Sequence, residues 1–161
     1  MSCCSRRILL LGLPALAACG FEPVYGPGAS ARLLRGKVRV DAPDDQSSYL
    51  LVRNLEQRLG RPGVPDYRLS IEPTTTQQGQ AVTVAGEITR YSIVGIVDYS
   101  LRNFESDTVV TQGRVRNFTG FSATGSTVET LAAESDALER LMEILADEIT
   151  ARLYSTLGSA G

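Results

Sequence analysis

The 161-residue chain contains no histidine and no tryptophan, and its three cysteines, Cys3, Cys4 and Cys19, all lie near the amino end. A body without histidine or free cysteine lacks the usual general base, the commonest nitrogen ligand for metals and the thiol nucleophile. A hydrolase triad and a zinc site are therefore disfavoured, and no cofactor or metal is expected. Only two-carboxylate chemistry would remain for an enzyme. The formal net charge is −2, so no strongly basic balance points to nucleic acid. Basic residues cluster only locally, from Arg32 to Arg39 and at Arg114 and Arg116. No internal repeat and no low-complexity tract is present.

The first residues carry the clearest signal. Arg6 and Arg7 form a short positive start, and Ile8 to Leu16 is an apolar core about nine residues long, too short to span a bilayer as a helix. Leu16-Ala17-Ala18-Cys19 follows and resembles the lipobox of bacterial lipoproteins. Small residues fit the narrow pocket of a signal peptidase, and the thiol after them can carry a diacylglyceryl group. An ordinary secretory signal with an incidental cysteine would need the charges, the core and this ending to agree by accident. Residues 1–18 are thus expected to be removed and Cys19 to be the lipid attachment point. More than one acyl chain is needed for firm anchoring, because each buried CH₂ contributes only about 0.8 kcal/mol. Gly20 follows the cysteine, where lipoproteins retained in the inner membrane often carry aspartate. The resemblance therefore implies an outer-membrane location, facing the periplasm. With Cys3 and Cys4 lost and Cys19 acylated, the domain has no disulfide, and packing alone must stabilise it.

Residues 19–36 are expected to be the lipidated amino end and a tether rich in glycine and proline, and residues 37–161 a single α+β domain. Lys37 to Asp41 alternates as a first strand. Asp44 to Ser48 offers N-caps for a helix with Leu51, Leu55 and Leu59 on one face, stopped by Gly60 and Pro62. Tyr67 to Glu72 alternates again. The polar Thr74–Gln80 stretch is expected to be a loop or a frayed extension, where the second strand turns back. Residues 81–103 form the longest strand-like stretch, with Tyr91, Ile93, Val97, Tyr99 and Leu101 on one parity. Glu105 to Asp107 is a turn, Thr108 to Phe118 the returning strand, and Gly120 to Ser126 a loop of small residues. Thr127 or Thr130 caps a last helix whose apolar stripe is Leu131, Leu138, Leu141, Met142, Leu145, Ile149, Leu153 and Leu157. The expected fold is two helices packed on one face of a mainly antiparallel four-stranded sheet, in the order β-α-β-β-β-α.

The opening Cys19-Gly20-Phe21-Glu22-Pro23-Val24-Tyr25-Gly26 resembles that of LPS-assembly lipoproteins of the LptE type. The stretches Asp136-Ala137 through Arg140-Leu141, Leu145 to Ile149 and Arg152-Leu153 are similar to that family's last helix. The resemblance implies a plug inside the outer-membrane β-barrel LptD, which aids barrel assembly and binds lipopolysaccharide, with no bond made or broken. It brings no catalytic residues.

Arginine can hold a phosphate through two parallel hydrogen bonds. Arg114 and Arg116 share one face of the returning strand, and Arg90 and Arg102 share a parity of the strand before it. These are the candidate contacts to lipopolysaccharide phosphates, although a solvated or barrel-facing polar strand accounts for them more simply. Glu134, Asp136, Glu139, Glu143, Asp147 and Glu148 fit a solvated helix face better than an acid/base pair. Gly120 to Gly125 has no following Lys-Ser or Lys-Thr and is no Walker loop. The alternative function is that of an auxiliary lipoprotein of another periplasmic lipid-transport complex. A carboxylate-based hydrolase is the weaker rival.

Overall fold

The computed structural model describes residues 34–82 and 86–158, so Cys19, the signal and residues 19–33 of the expected tether lie outside the described residues, while Leu34 is fully buried in the core. The elements are β1 (Val38–Val40), α1 (Gln46–Leu59), β2 (Tyr67–Val82), β3 (Ile88–Asn103), β4 (Val109–Ser122) and α2 (Thr127–Gly158). The expected order β-α-β-β-β-α is the observed one. The strands lie in the sheet in chain order. β1 pairs with β2 in parallel, and β2–β3 and β3–β4 are antiparallel. The sheet is therefore mixed, and its parallel step follows from α1, which carries the chain back between β1 and β2.

Both helices cover one face. Along β3 the residues Ile93, Val97, Tyr99 and Leu101 are buried towards them, together with Leu69 of β2 and Val115 of β4. From above come Leu51, Leu55 and Leu59 of α1 and Leu141, Leu145, Ile149 and Leu153 of α2. Gly95 sits where α2 crosses β3. A Cβ there would lie 2.8 Å from Leu145 Cδ1 and 3.1 Å from Leu141 Cδ2, so the close approach needs glycine. Outside this core, Arg53 bonds Glu139 and Arg58 bonds Asp147, joining the helices at their solvent edge.

The helix ends are set locally. Asp45 caps α1: its carboxylate accepts from the Ser48 N–H at 2.6 Å, and the Ser48 hydroxyl accepts from the Asp45 N–H at 2.9 Å. Gly60, at φ +76°, closes the helix with its N–H on the Glu56 carbonyl.

Four local expectations need correction. Thr74–Gln80 is strand, in register from Thr74 opposite Ile96 to Gly79 opposite Tyr91. The apolar β3 beside it supplies the pairing, and its polar side chains suit a strand whose outer edge has passed the end of the short β1. The returning strand does not end at Phe118 but runs through Gly120 to Ser122, because Phe121 stacks on Tyr91 with ring centroids 5.5 Å apart. Ser126, not Thr127 or Thr130, caps α2: its hydroxyl accepts from the Glu129 N–H at 3.4 Å, and the Glu129 carboxylate accepts from the Ser126 N–H at 2.7 Å. Leu131 is 60 % exposed rather than part of the buried stripe. The 14-residue α1 runs parallel to the 32-residue α2, with Arg53 opposite Glu139, so the first turns of α2 overhang it.

Candidate functional site

Because both helices lie on one side, the other face of the sheet is uncovered. Side chains alternate across a sheet, so parity assigns this face. It carries Arg39 on β1, the even-numbered residues of β2 from Arg68 to Gln78, those of β3 from Arg90 to Arg102, and those of β4 including Gln112, Arg114, Arg116 and Phe118. Arg39, Arg68, Arg90, Arg102, Arg114 and Arg116 outnumber the acids on it, Asp41, Glu72 and Asp98. The chain as a whole is acidic, so this face is basic against the overall balance.

All four arginines singled out from sequence fall on this face, but they do not form one cluster. Arg114 lies directly opposite Asp98 and holds it through both ends of its fork, Nε to Oδ1 at 2.7 Å and Nη2 to Oδ2 at 2.9 Å. That hydrogen bond lowers the Asp98 pKa from the ordinary carboxylate value and raises that of Arg114. Arg102 stands at one end of β3, where Nη1 meets the Asp107 carboxylate at 3.4 Å. Arg90 stands at the other end, opposite Ser122, some 40 Å away by strand rise. Arg116 is exposed beside Phe118 and opposite Ile96. Neither Arg90 nor Arg116 forms a salt bridge with a described residue. Between them lies an apolar strip of Val94, Ile96 and Phe118, the last 67 % exposed.

Two residues escaped the sequence. Register places Arg39 opposite Arg68, and Arg68 opposite Arg102. The three come from distant parts of the chain. Only the polar parity of each strand hinted at them, and strand pairing aligned them. The Arg68 guanidinium also lies over the Phe104 ring, 5.3 Å from its centroid.

Next to this row a shallow depression is lined by Ser70, Glu72, Asp98, Ser100, Gln112 and Arg114. The Ser70 hydroxyl donates to Asp41 at 2.6 Å. The Ser100 hydroxyl oxygen is buried and has no protein partner among the described residues. The acids of α2 are mostly engaged in ion pairs: Glu139 with Arg53, Asp147 and Glu143 with Arg58, Asp136 with Arg140, Glu148 with Arg152. No group of His, Cys, Asp and Glu able to hold a metal occurs among the described residues. No described helix is long and apolar enough to cross a membrane.

The described domain shares its overall fold with solved bacterial lipoproteins. A putative lipoprotein from Caulobacter crescentus superposes with a TM-score of 0.68 at 20% identity, over 83% of this chain and 98% of that one. An uncharacterized lipoprotein B from Nitrosomonas europaea gives 0.60 at 14% identity, over 84% and 91%. The rare lipoprotein B from Shewanella oneidensis gives 0.57 at 10% identity, over 74% and 93%. No curated protein matches the chain. The model of the LptE family, described as lipopolysaccharide-assembly, matches residues 36–153, and the chain belongs to that family.

Proposed function

We propose that this is an outer-membrane lipoprotein of lipopolysaccharide assembly, anchored through Cys19 after loss of residues 1–18, with the residues that follow Cys19 as the tether up to Leu34, which packs in the core. In this reading it partners an LptD-type β-barrel and aids the barrel's assembly and the insertion of lipopolysaccharide into the outer leaflet. It acts by binding. The observation that carries the reading is the family match, which spans residues 36–153 of a domain standing directly behind a lipobox-like segment.

The uncovered face supports it. A domain seated in a water-filled barrel needs a polar outer surface, and this face is largely Thr, Ser, Gln and Arg. Arg90 and Arg116, both without ion pairs to described residues, flank the Val94–Ile96–Phe118 strip. That pairing of cation and apolar surface suits a phosphorylated acyl lipid. Arg102 and Arg114 must first share or release their acids, Asp107 and Asp98.

Purifying the lipidated protein from its native membrane in mild detergent tests the partner. A stoichiometric large β-barrel is expected. A lipid-transporter complex, or no companion in a preparation where known complexes survive, removes the barrel role. Replacing both Arg90 and Arg116 by alanine should weaken lipopolysaccharide retention several-fold. Unchanged retention removes these contacts.

A further inference from the structure

We propose that Arg39, Arg68 and Arg102 form a phosphate-binding row across β1, β2 and β3. Like charges directly opposite on neighbouring strands are destabilising. Here Arg68 has an arginine opposite it on both sides. The acids nearby compensate only in part. Asp107 meets Arg102 from the β3–β4 turn at 3.4 Å. Asp41 takes a hydrogen bond from Ser70, and Asp66 is paired with Lys37 at 2.8 Å. Glu72 lies further along β2, opposite Asp98.

The geometry suits an oxyanion. Guanidinium forks match phosphate oxygens in pairs. The Arg68 guanidinium carbon lies 5.3 Å from the Phe104 ring centroid, a cation–π contact that restrains it on this face. Ser100, two residues from Arg102 on the same face, lines the adjoining depression. A phosphate group placed over the row would relieve the repulsion among the three arginines. The row is separate from the strip flanked by Arg90 and Arg116. The group it takes is carried either on a glycolipid or as the free ion, and the glycolipid case rests on the lipopolysaccharide reading above.

Thermal unfolding of the mature full chain tests the row, in inorganic phosphate against sodium chloride of equal ionic strength. At about tenfold the dissociation constant, phosphate should raise Tm by roughly 4 °C. Arg68→Gln should abolish that rise. In phosphate-free buffer the same variant should melt no lower than the parent, because it removes the repulsion. Arg39→Gln should also lose the rise, and Arg140→Gln, an equal charge change on α2, should keep it. No phosphate-specific rise in the parent overturns the proposal. So does an Arg68→Gln protein that melts lower without phosphate yet keeps the full rise.

A second arm uses lipopolysaccharide before and after phosphatase treatment. A rise that phosphatase removes names the glycolipid as source, and a rise with inorganic phosphate alone names the free ion. Both outcomes uphold the row. Lipopolysaccharide binding that persists in Arg68→Gln, with no phosphate response in the parent, removes the row and leaves the lipopolysaccharide reading standing.

Discussion

Asp45 shows how much one side chain decides. Its carboxylate satisfies the Ser48 N–H at the start of α1, and the Ser48 hydroxyl returns the bond to the Asp45 N–H. The hydrogen bonds from Ser48 lower the Asp45 pKa from its ordinary value of 3.8. A lowered folded-state pKa means the cap is fully stabilising above 3.8 and is lost as pH falls through the lowered value. Asp45→Ala should therefore cost about 1 kcal/mol at neutral pH, the usual cost of losing an N-cap. Asp45→Asn should cost little there, because asparagine caps as well, and it should flatten the acid limb of the stability curve. Urea midpoints between pH 3 and pH 6 check this. An Asn variant that is strongly destabilised at neutral pH, or whose acid limb matches the parent's, would show that the cap is not what couples α1 to pH.

At the scale of elements the sheet has two long bare edges, and each is blunted differently. Asp41 N–H donates to the Leu69 carbonyl and Tyr67 N–H to the Lys37 carbonyl, so the backbone N–H and C=O groups of odd-numbered β2 residues point to the sheet's outer edge. The missing donor of Pro73 therefore falls on the outer edge, where proline is tolerated and discourages further pairing. On β4 the outward groups belong to even-numbered residues, and side chains occupy two of them. Arg152 reaches from α2 to the Arg114 carbonyl at 3.0 Å, and the Asn117 side chain accepts from the Phe118 N–H at 2.9 Å. Arg152→Ala should change Tm little and should raise concentration-dependent light scattering. Unchanged scattering would mean that the edge is protected by something other than this cap. Such edge chemistry also marks the limit of what the sequence shows. The leucine spacing of α1 and the alternation of β3 could be read directly because each repeats a local period, and the Glu105–Asp107 turn because it is a short polar break between two such runs. The polar run Thr74–Gln80 could not, because its strand character comes from β3 beside it. Leu131 looked buried because helical spacing reports a face and not where the neighbouring helix begins. The site was legible to the same degree. Four arginines stood out as pairs along single strands, whereas the alignment of Arg39 and Arg68 with Arg102 exists only through register.

Across the whole molecule, cover is uneven along the sheet. Fully buried Leu69, Val97, Leu101 and Val115 lie under the two helices, against Leu55, Leu145, Ile149 and Leu153. Towards the far ends of β2 and β3, α1 has not yet begun, and the exposed side chains include Leu131, Val128 and Ile88. Fewer apolar contacts there lower the free energy of local opening, while the shared core ties the rest to global unfolding. Native-state hydrogen exchange should then show two classes of amide in the same hairpin. Those from Leu69 to Ile71 and from Val97 to Leu101 should exchange only through global unfolding, with the full denaturant dependence. Those from Gln77 to Gly79 and from Arg90 to Ser92 should exchange through a smaller opening, at least tenfold faster and nearly independent of denaturant. The two classes share one ladder, with Gln77 opposite Ile93 and Leu69 opposite Leu101, so hydrogen bonding alone would protect them equally. Helix cover is what separates them. Equal protection along the hairpin would mean that pairing with β3 and β4 is enough to hold the far half, and that the overhang of α2 beyond α1 has no energetic consequence.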